Sequence, residues 1–443
     1  MTDALSADSA DAPDNLGSES QQPEPGQPVP ELPGPEQAGG SPSSALKIPD
    51  FRRLWTNNIF YFVTFNALRF LFGWYVLDGL DLGEREQGYV IFALGIPALF
   101  LVLQAGAWAD RLNPRRLIIA TQAASMLVVA GAAVLIATDS AGLGWIIVIA
   151  ALAGATSSVG QPVRASLVPA IVGKEMLFSA IAINALAMTS SMILGPVVVR
   201  LVGQQFGFDG AFWFLALLLL LGLVAIRSLQ VPERTEPVGE RRSVMVDTIE
   251  AVRHVLGDRS LRALFLLLSV AGVTVNPAVM ITVQAFVKEE LGRDSGDAAQ
   301  LFALMGIGLA ISSFIVMRKG DMPNKGAAFQ RAMMVGSTMT FLMGLTNEFF
   351  QLFPLMFLMG LAGGFYINMN QGLIQANTPQ ALMGRVMGLY TLVQVGLMPI
   401  GALILGVVAG AIGIGNTISG AAAVAGITVV ATYITGRELR TLA

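Results

Sequence analysis

From Gln87 the chain reads Gln87-Gly-Tyr-Val-Ile-Phe-Ala-Leu-Gly-Ile-Pro-Ala-Leu-Phe-Leu-Val-Leu-Gln-Ala-Gly-Ala-Trp108. It continues Ala109-Asp110-Arg111-Leu-Asn-Pro-Arg115-Arg116, then Leu117-Ile-Ile-Ala120 and onward without a charge to Ala137. The first run holds 22 residues and no charge, the length that crosses a hydrocarbon core of ~30 Å. The charged patch after it is too costly to leave in lipid, so it marks a short turn at a membrane surface. Strands would show weaker, alternating segments of about ten residues. Two apolar helices joined by a basic turn therefore set the class: an all-α membrane protein.

The same reading extends along the chain. Of 443 residues 54% are hydrophobic and only 13% charged, against ~25% charged in soluble domains. Twelve spans are expected, near 54–77, 87–108, 115–137, 143–165, 178–202, 210–229, 261–286, 298–317, 327–346, 351–375, 384–410 and 413–435. With the N-terminus inside, 22 of the 27 basic residues fall on the inner side, Arg164 among them. Arg85, Arg200, Lys288 and Arg293 fall outside, and Arg69 lies within span 1. That bias places both termini in the cytoplasm.

The chain also repeats. Asp110 precedes Asp321 by 211 residues, Gln161 and Pro169 precede Gln371 and Pro379 by 210, and Arg53 precedes Arg262 by 209. A near-constant offset implies two pseudo-symmetric six-helix halves, the architecture of alternating-access transporters. The expected organisation is a disordered acidic, Pro-rich tail at 1–46, a first half at 47–229 and a cytoplasmic linker at 230–260. A second half follows at 261–436 and a short cytoplasmic C-terminus at 437–443. The tail has eight prolines and eight acids and no basic residue before Lys47, a composition that cannot offset its ordering entropy. In the linker, Val244, Ile249, Val252 and Leu256 suit one face of a surface helix.

Composition excludes other chemistries. There is no Cys, and the only His is His254, so thiol catalysis, zinc-cysteine sites and His-based metal chemistry are ruled out. No Gly-x-x-x-x-Gly-Lys-Ser/Thr loop for ATP appears. An enzyme is not expected, nor a cofactor, nor a nucleic-acid partner.

Gly106, Asp110, Arg111, Arg115 and Arg116 form a stretch that resembles motif A of the major facilitator superfamily, with Pro114 inserted before the last basic pair. Further stretches resemble its drug:proton antiporter branch of the third type, which includes multidrug and macrolide efflux proteins and the enterobactin exporter. They are Phe51-Arg-Arg-Leu-Trp55, Gln161-Pro-Val-Arg164 to Pro169, Asn184 to Gly195-Pro196, and Gly384-Arg385-Val-Met-Gly388. Gly195-Pro196 is similar to the antiporter motif C, although Val199 and Arg200 stand where its later glycines would be. The resemblance covers 47–436. It implies the major facilitator fold and an exporter of an amphipathic compound such as a drug or siderophore, acting as a monomer in the bacterial inner membrane. A lipid or lysophospholipid facilitator is the alternative, and a non-transporting scaffold or sensor on the same fold a second.

Physical roles can be assigned to these residues. Asp110 ends a helix where its carboxylate can meet the positive N-terminus of another, span 11 near Gly384. With Arg111, Arg115 and Arg116 it would form a gating latch, whereas the arginines alone would also satisfy the positive-inside bias. Polar groups at mid-membrane are candidates for the substrate pathway: Asn66, Arg69, Asn184, Asn276, Gln284, Asn368, Gln371 and Gln394. For the amides, interhelical hydrogen bonding is an equal reading. Arg69 needs water or a counter-ion: it either lines the cavity or snorkels to the outer surface, where Asp78 or Asp81 could neutralise it. Gly195, Pro196 and Pro277 are expected to kink their helices. No acid sits at mid-membrane, so proton coupling, if used, has to run through Asp78, Asp81 or Asp110.

Overall fold

Asn113 and Pro114 make the first joint of the fold. In the computed structural model the Asn113 side chain accepts hydrogen bonds from the amides of Arg115 (3.1 Å) and Arg116 (3.2 Å). Pro114, which has no amide hydrogen to leave unpaired, takes the first helical position. The inserted proline thus starts span 3 (Pro114–Ala137) sharply after span 2 (Glu84–Arg111).

The structure describes residues 42–172, 176–230, 244–280, 282–319, 324–379 and 382–435. Among these there are helices and no strand. Span 1 is Pro49–Trp74, extended by a π-turn at Tyr75–Gly79, and span 4 is Leu143–Val172. Spans 5 and 6 lie in one stretch, Leu177–Ile226, divided at Gly207. The loop expected between them shrinks to that residue, whose φ of 75° is one that glycine adopts without strain. Spans 8 to 12 are Ala298–Lys319, Lys325–Met343, Leu352–Ala376, Met383–Ile412 and Ile414–Thr435. Ten helical stretches are long and apolar enough to cross a membrane. One of them, Ile183–Ile226, contains two crossings, and Lys325–Met343 completes the twelve.

Span 7 is broken into Arg259–Val273, Val275–Met280 and Thr282–Glu289. Pro277 explains the first break, because its ring would collide with the carbonyl four residues earlier, on Val273. Thr274 turns aside with φ −109° and ψ −76°. Pro196 lies inside the long stretch of spans 5 and 6, in which Gly207 has non-helical dihedrals. Gly195 lets spans 1 and 5 pack closely, since a Cβ there would stand 2.8 Å from the Ala67 amide nitrogen of span 1.

Each half pairs its spans in the same order. Span 1 packs on 5, 2 on 4 and 3 on 6; span 7 packs on 11, 8 on 10 and 9 on 12. The correspondence reaches single contacts. A Cβ on Gly154 of span 4 would overlap the Leu94 carbonyl oxygen of span 2, and one on Gly360 of span 10 would overlap that of Met305 in span 8. The halves meet along two further seams, span 2 on 11 and span 5 on 8. Large apolar side chains such as Phe100, Leu127, Trp145, Leu186 and Ile427 are exposed on the helices, as suits a chain whose solvent is lipid.

Two expectations change. Residues 42–46, expected in the tail, form with Lys47 a 3-10 helix whose Ala45 is buried with Phe51 and Leu54; residues 1–41 lie outside the described ones. Span 4 runs past its expected end at 165, and Arg164 is not a loop residue but is 2% exposed inside the helix. The linker helix is Val244–Gly257. Ala251 and Val255 are buried against the second half, while Ile249, Val252 and Leu256 are exposed. The side chain of Val244 is not among the described ones. Arg385 at the start of span 11 holds this helix through Glu250 at 2.7 Å.

Candidate functional site: the seam between the halves

Gly73 has no side chain, and two buried amides fill the space beside it. Gln87 of span 2 donates to Gln284 of span 7 at 3.1 Å, and Gln284 donates to the Phe70 carbonyl of span 1 at 3.0 Å. Above them lies a reciprocal set of charges at the end of the bundle that carries residues 80–83 and 290–297, termed the upper end. The first half supplies Arg200, which meets Asp294 at 2.6 Å and Asp297 at 2.9 Å. Its Trp74 donates to Asp294 at 3.1 Å, and the Arg200 guanidinium lies 5.3 Å from the Trp74 ring centroid. The second half supplies Lys288, which donates to the Leu77 carbonyl and to Asp81 at 2.9 Å, with Asp78 at 3.8 Å. Ser295 donates to Asp78. The hydrogen bond and charge of Lys288 hold the Asp81 carboxyl below the usual carboxylate range.

Arg69 is the lowest member of the series. It is half-buried, its Nη2 stands 2.7 Å from Sδ of Met398 in span 11, and its guanidinium lies 5.7 Å from the Phe65 ring centroid. Between described residues, the hydrogen bonds and ion pairs that join the halves all lie at Arg69 or above it. Asp78 and Asp81 are engaged by Lys288 and Ser295, and so do not neutralise Arg69. Among the described residues Arg69 has no carboxylate partner.

Other expected pathway residues are placed as follows. Asn66 donates to Ser191 at 2.9 Å and Asn184 accepts from Asn58 at 2.8 Å, both between spans 1 and 5. Asn368 donates to Ser313 of span 8 at 3.1 Å. Gln394 is half-buried in span 11. Asn276 is half-buried and Gln371 exposed. The structure thus brings Gln284 and Arg69 to the seam and uses Asn66, Asn184 and Asn368 between helices.

Asp110 and Arg111 end the helix of span 2, and the side chains of Gly106, Asp110 and Arg111 lie outside the described ones. Arg115 donates to the Arg227 carbonyl at 2.8 Å, which ties span 3 to span 6 inside one half, and Arg116 is exposed. A buried cluster escaped the sequence reading. Arg164 donates to Gln122, to Asn57 at 3.4 Å and to the Gly160 carbonyl at 3.2 Å, with its guanidinium 3.5 Å from the Tyr61 ring centroid. The seam charges were also missed as pairs, although Arg200 and Lys288 are two of the few basic residues expected outside.

Among curated proteins none matches the chain by sequence. Solved structures share its fold at low identity. The nucleoside transporter NupG matches with a TM-score of 0.69 at 14% identity, covering 88% of this chain and 99% of that one. A POT family transporter in complex with 5-aminolevulinic acid matches at 0.72 and 12%, covering 88% and 96%. A bacterial homologue of the human lysosomal transporter Spinster, inward-facing and occupied, matches at 0.68 and 12%, covering 91% and 99%. The Major Facilitator Superfamily profile matches residues 54–402. With twelve paired spans and a polar seam between the halves, the chain belongs to the Major Facilitator Superfamily, and it is a secondary transporter rather than an enzyme.

Proposed function

We propose that this transporter exports an amphipathic organic compound from the cytoplasm by alternating access, as a member of the drug:proton antiporter branch. The observation that carries it is that the polar contacts between described residues of the two halves lie at Arg69 or above it, toward the upper end. The basic-residue bias assigns that end to the outside, and in this reading cargo would enter from the cytoplasm, below Arg69. Asp110 and Arg111, with Arg115 and Arg116 as support, would latch the opposite, cytoplasmic end in the other state. Asp78 and Asp81 are the membrane-edge acids through which protons would act.

A lysophospholipid facilitator is the second reading. It is favoured by Arg69, a charge deep in the bundle with no carboxylate partner among the described residues. Reconstituted protein should move members of a panel of cationic drugs, siderophores and lysolipids across proteoliposomes, with export quickened by an inward proton gradient. Flux of lysolipid alone, indifferent to that gradient, would select the second reading; no flux of any class would remove both.

Orientation has its own check on this Cys-free chain. Single cysteines at Arg85 and Glu290 should react with an impermeant maleimide in intact cells, and those at Ser43 and Thr441 should not. The reverse pattern would invert the topology and with it the direction of export.

A further inference from the structure

We infer that Arg69 binds an oxyanion of the transported compound, that Met398 holds the anion's place in this conformation, and that Phe65 carries the compound's ring. This rests on the transport reading and names its substrate class: an apolar, ring-bearing body joined to a carboxylate, sulfonate or phosphate.

A guanidinium presents five donors in a planar fork and keeps its charge at any physiological pH. The side-chain acceptor that Arg69 meets is the Met398 thioether at 2.7 Å, and thioether sulfur is a weak acceptor. An anionic oxygen would make a charge-assisted bond in its place, roughly twice as strong as a neutral one. The alternative partners are spoken for, since Asp78 and Asp81 face Lys288 and Ser295.

Position agrees with this chemistry. Among the described residues Arg69 is the lowest of the polar contacts that join the halves, and it meets Met398 of span 11, so an anion bound there would touch spans 1 and 11 together. One turn below it, on the same face of span 1, Phe65 is half-buried and stacks on Tyr61, ring centroids 6.4 Å apart and planes 8° apart. Tyr61 in turn has the Arg164 guanidinium against it at 3.5 Å. The two rings are bracketed by two cations, which draw electron density and favour a further planar or anionic group beside them. Arg164 is buried inside its half, whereas Arg69 is half-buried at the seam between the halves.

The test uses the full-length protein in nanodiscs and three probes at fixed ionic strength. They are 2-naphthalenesulfonate, (2-naphthylmethyl)trimethylammonium and decyl phosphate, an anion without a ring. The parental protein should bind the sulfonate more tightly than the ammonium. Arg69→Gln should weaken the sulfonate about tenfold, the scale of one lost hydrogen bond to a charged group, without weakening the ammonium. Arg69→Lys should keep the sign of the preference, and Met398→Leu should leave the anion bound at least as tightly. Phe65→Leu should weaken the sulfonate and spare decyl phosphate; equal weakening of both would leave no role for the ring. A parental preference for the ammonium, binding of neither naphthalene probe, or an unchanged ratio in Arg69→Gln would overturn the assignment. Sulfonate that binds as expected but is not moved in proteoliposomes would instead count against the transport reading.

Discussion

Replacing Arg200 with Gln should open the upper end of the bundle and shift the balance between the two access states by roughly ten- to hundredfold. Arg200 of the first half holds two acids of the second, at 2.6 and 2.9 Å, and its side chain is only 12% exposed. A hydrogen bond to a charged group contributes about 1.5–3 kcal/mol, and each 1.4 kcal/mol is a factor of ten. Asp297 is 19% exposed and would lose its stronger partner, while Asp294 at 43% would be re-solvated with little penalty. Spin labels on cysteines at Phe206 and Phe350, exposed residues of opposite halves at this end, should report one short distance in the parental protein. In Arg200→Gln a longer population should appear and dominate. The pair Arg200→Asp with Asp294→Arg should restore the short distance, and high salt should blunt the difference. An unchanged distance distribution would remove Arg200 from the seal.

The charges of that seal were in the sequence, but their partners were not. Arg200 and Asp294 are 94 residues apart and Lys288 and Asp81 are 207. Which of these meet depends on which spans are adjacent, and hydropathy does not carry that information. What hydropathy does carry is length, so all twelve spans and the division into halves were legible. Boundaries set by single residues were less so. Gly207 turns the chain alone, and the helix of span 4 passes through Pro169, so the charge on Arg164 looked like a loop and was not one. The amides were legible as polar but not as to purpose. An asparagine facing another helix and one facing cargo have the same spacing, and only the partner across the gap separates them. Asn66 has Ser191; Arg69 has a sulfur.

The second large effect should come from Arg164, and it should be of a different kind. Its cluster joins four spans of one half. Gln122 of span 3 accepts from Arg164 and from Asn57 of span 1 at 2.8 Å, and donates to the Leu219 carbonyl of span 6 at 2.9 Å. Tyr61 of span 1 donates to the Ser157 carbonyl of span 4 at 3.2 Å beneath the guanidinium. Gly222 leaves the room for this, since a Cβ there would overlap the Gln122 amide. Arg164→Ala would leave a cavity and an Asn57 oxygen without its donor, at a cost of about 3–5 kcal/mol. Arg164→Met keeps most of the volume and removes a buried charge, whose desolvation is itself unfavourable, so it should cost less. Arg164→Lys should fall nearer to Ala, because a compact ammonium cannot reproduce the fork or the stacking. Thermal unfolding of the purified protein should rank the variants parental, Met, Lys, Ala. Arg200→Gln should change access while moving that midpoint little, because its contacts lie between the halves and not within one. Rocking of one half against the other requires each half to move as a unit, and the Arg164 cluster supplies that cohesion in the first. An Ala variant that unfolds with the parental protein would show that the cohesion comes from packing alone.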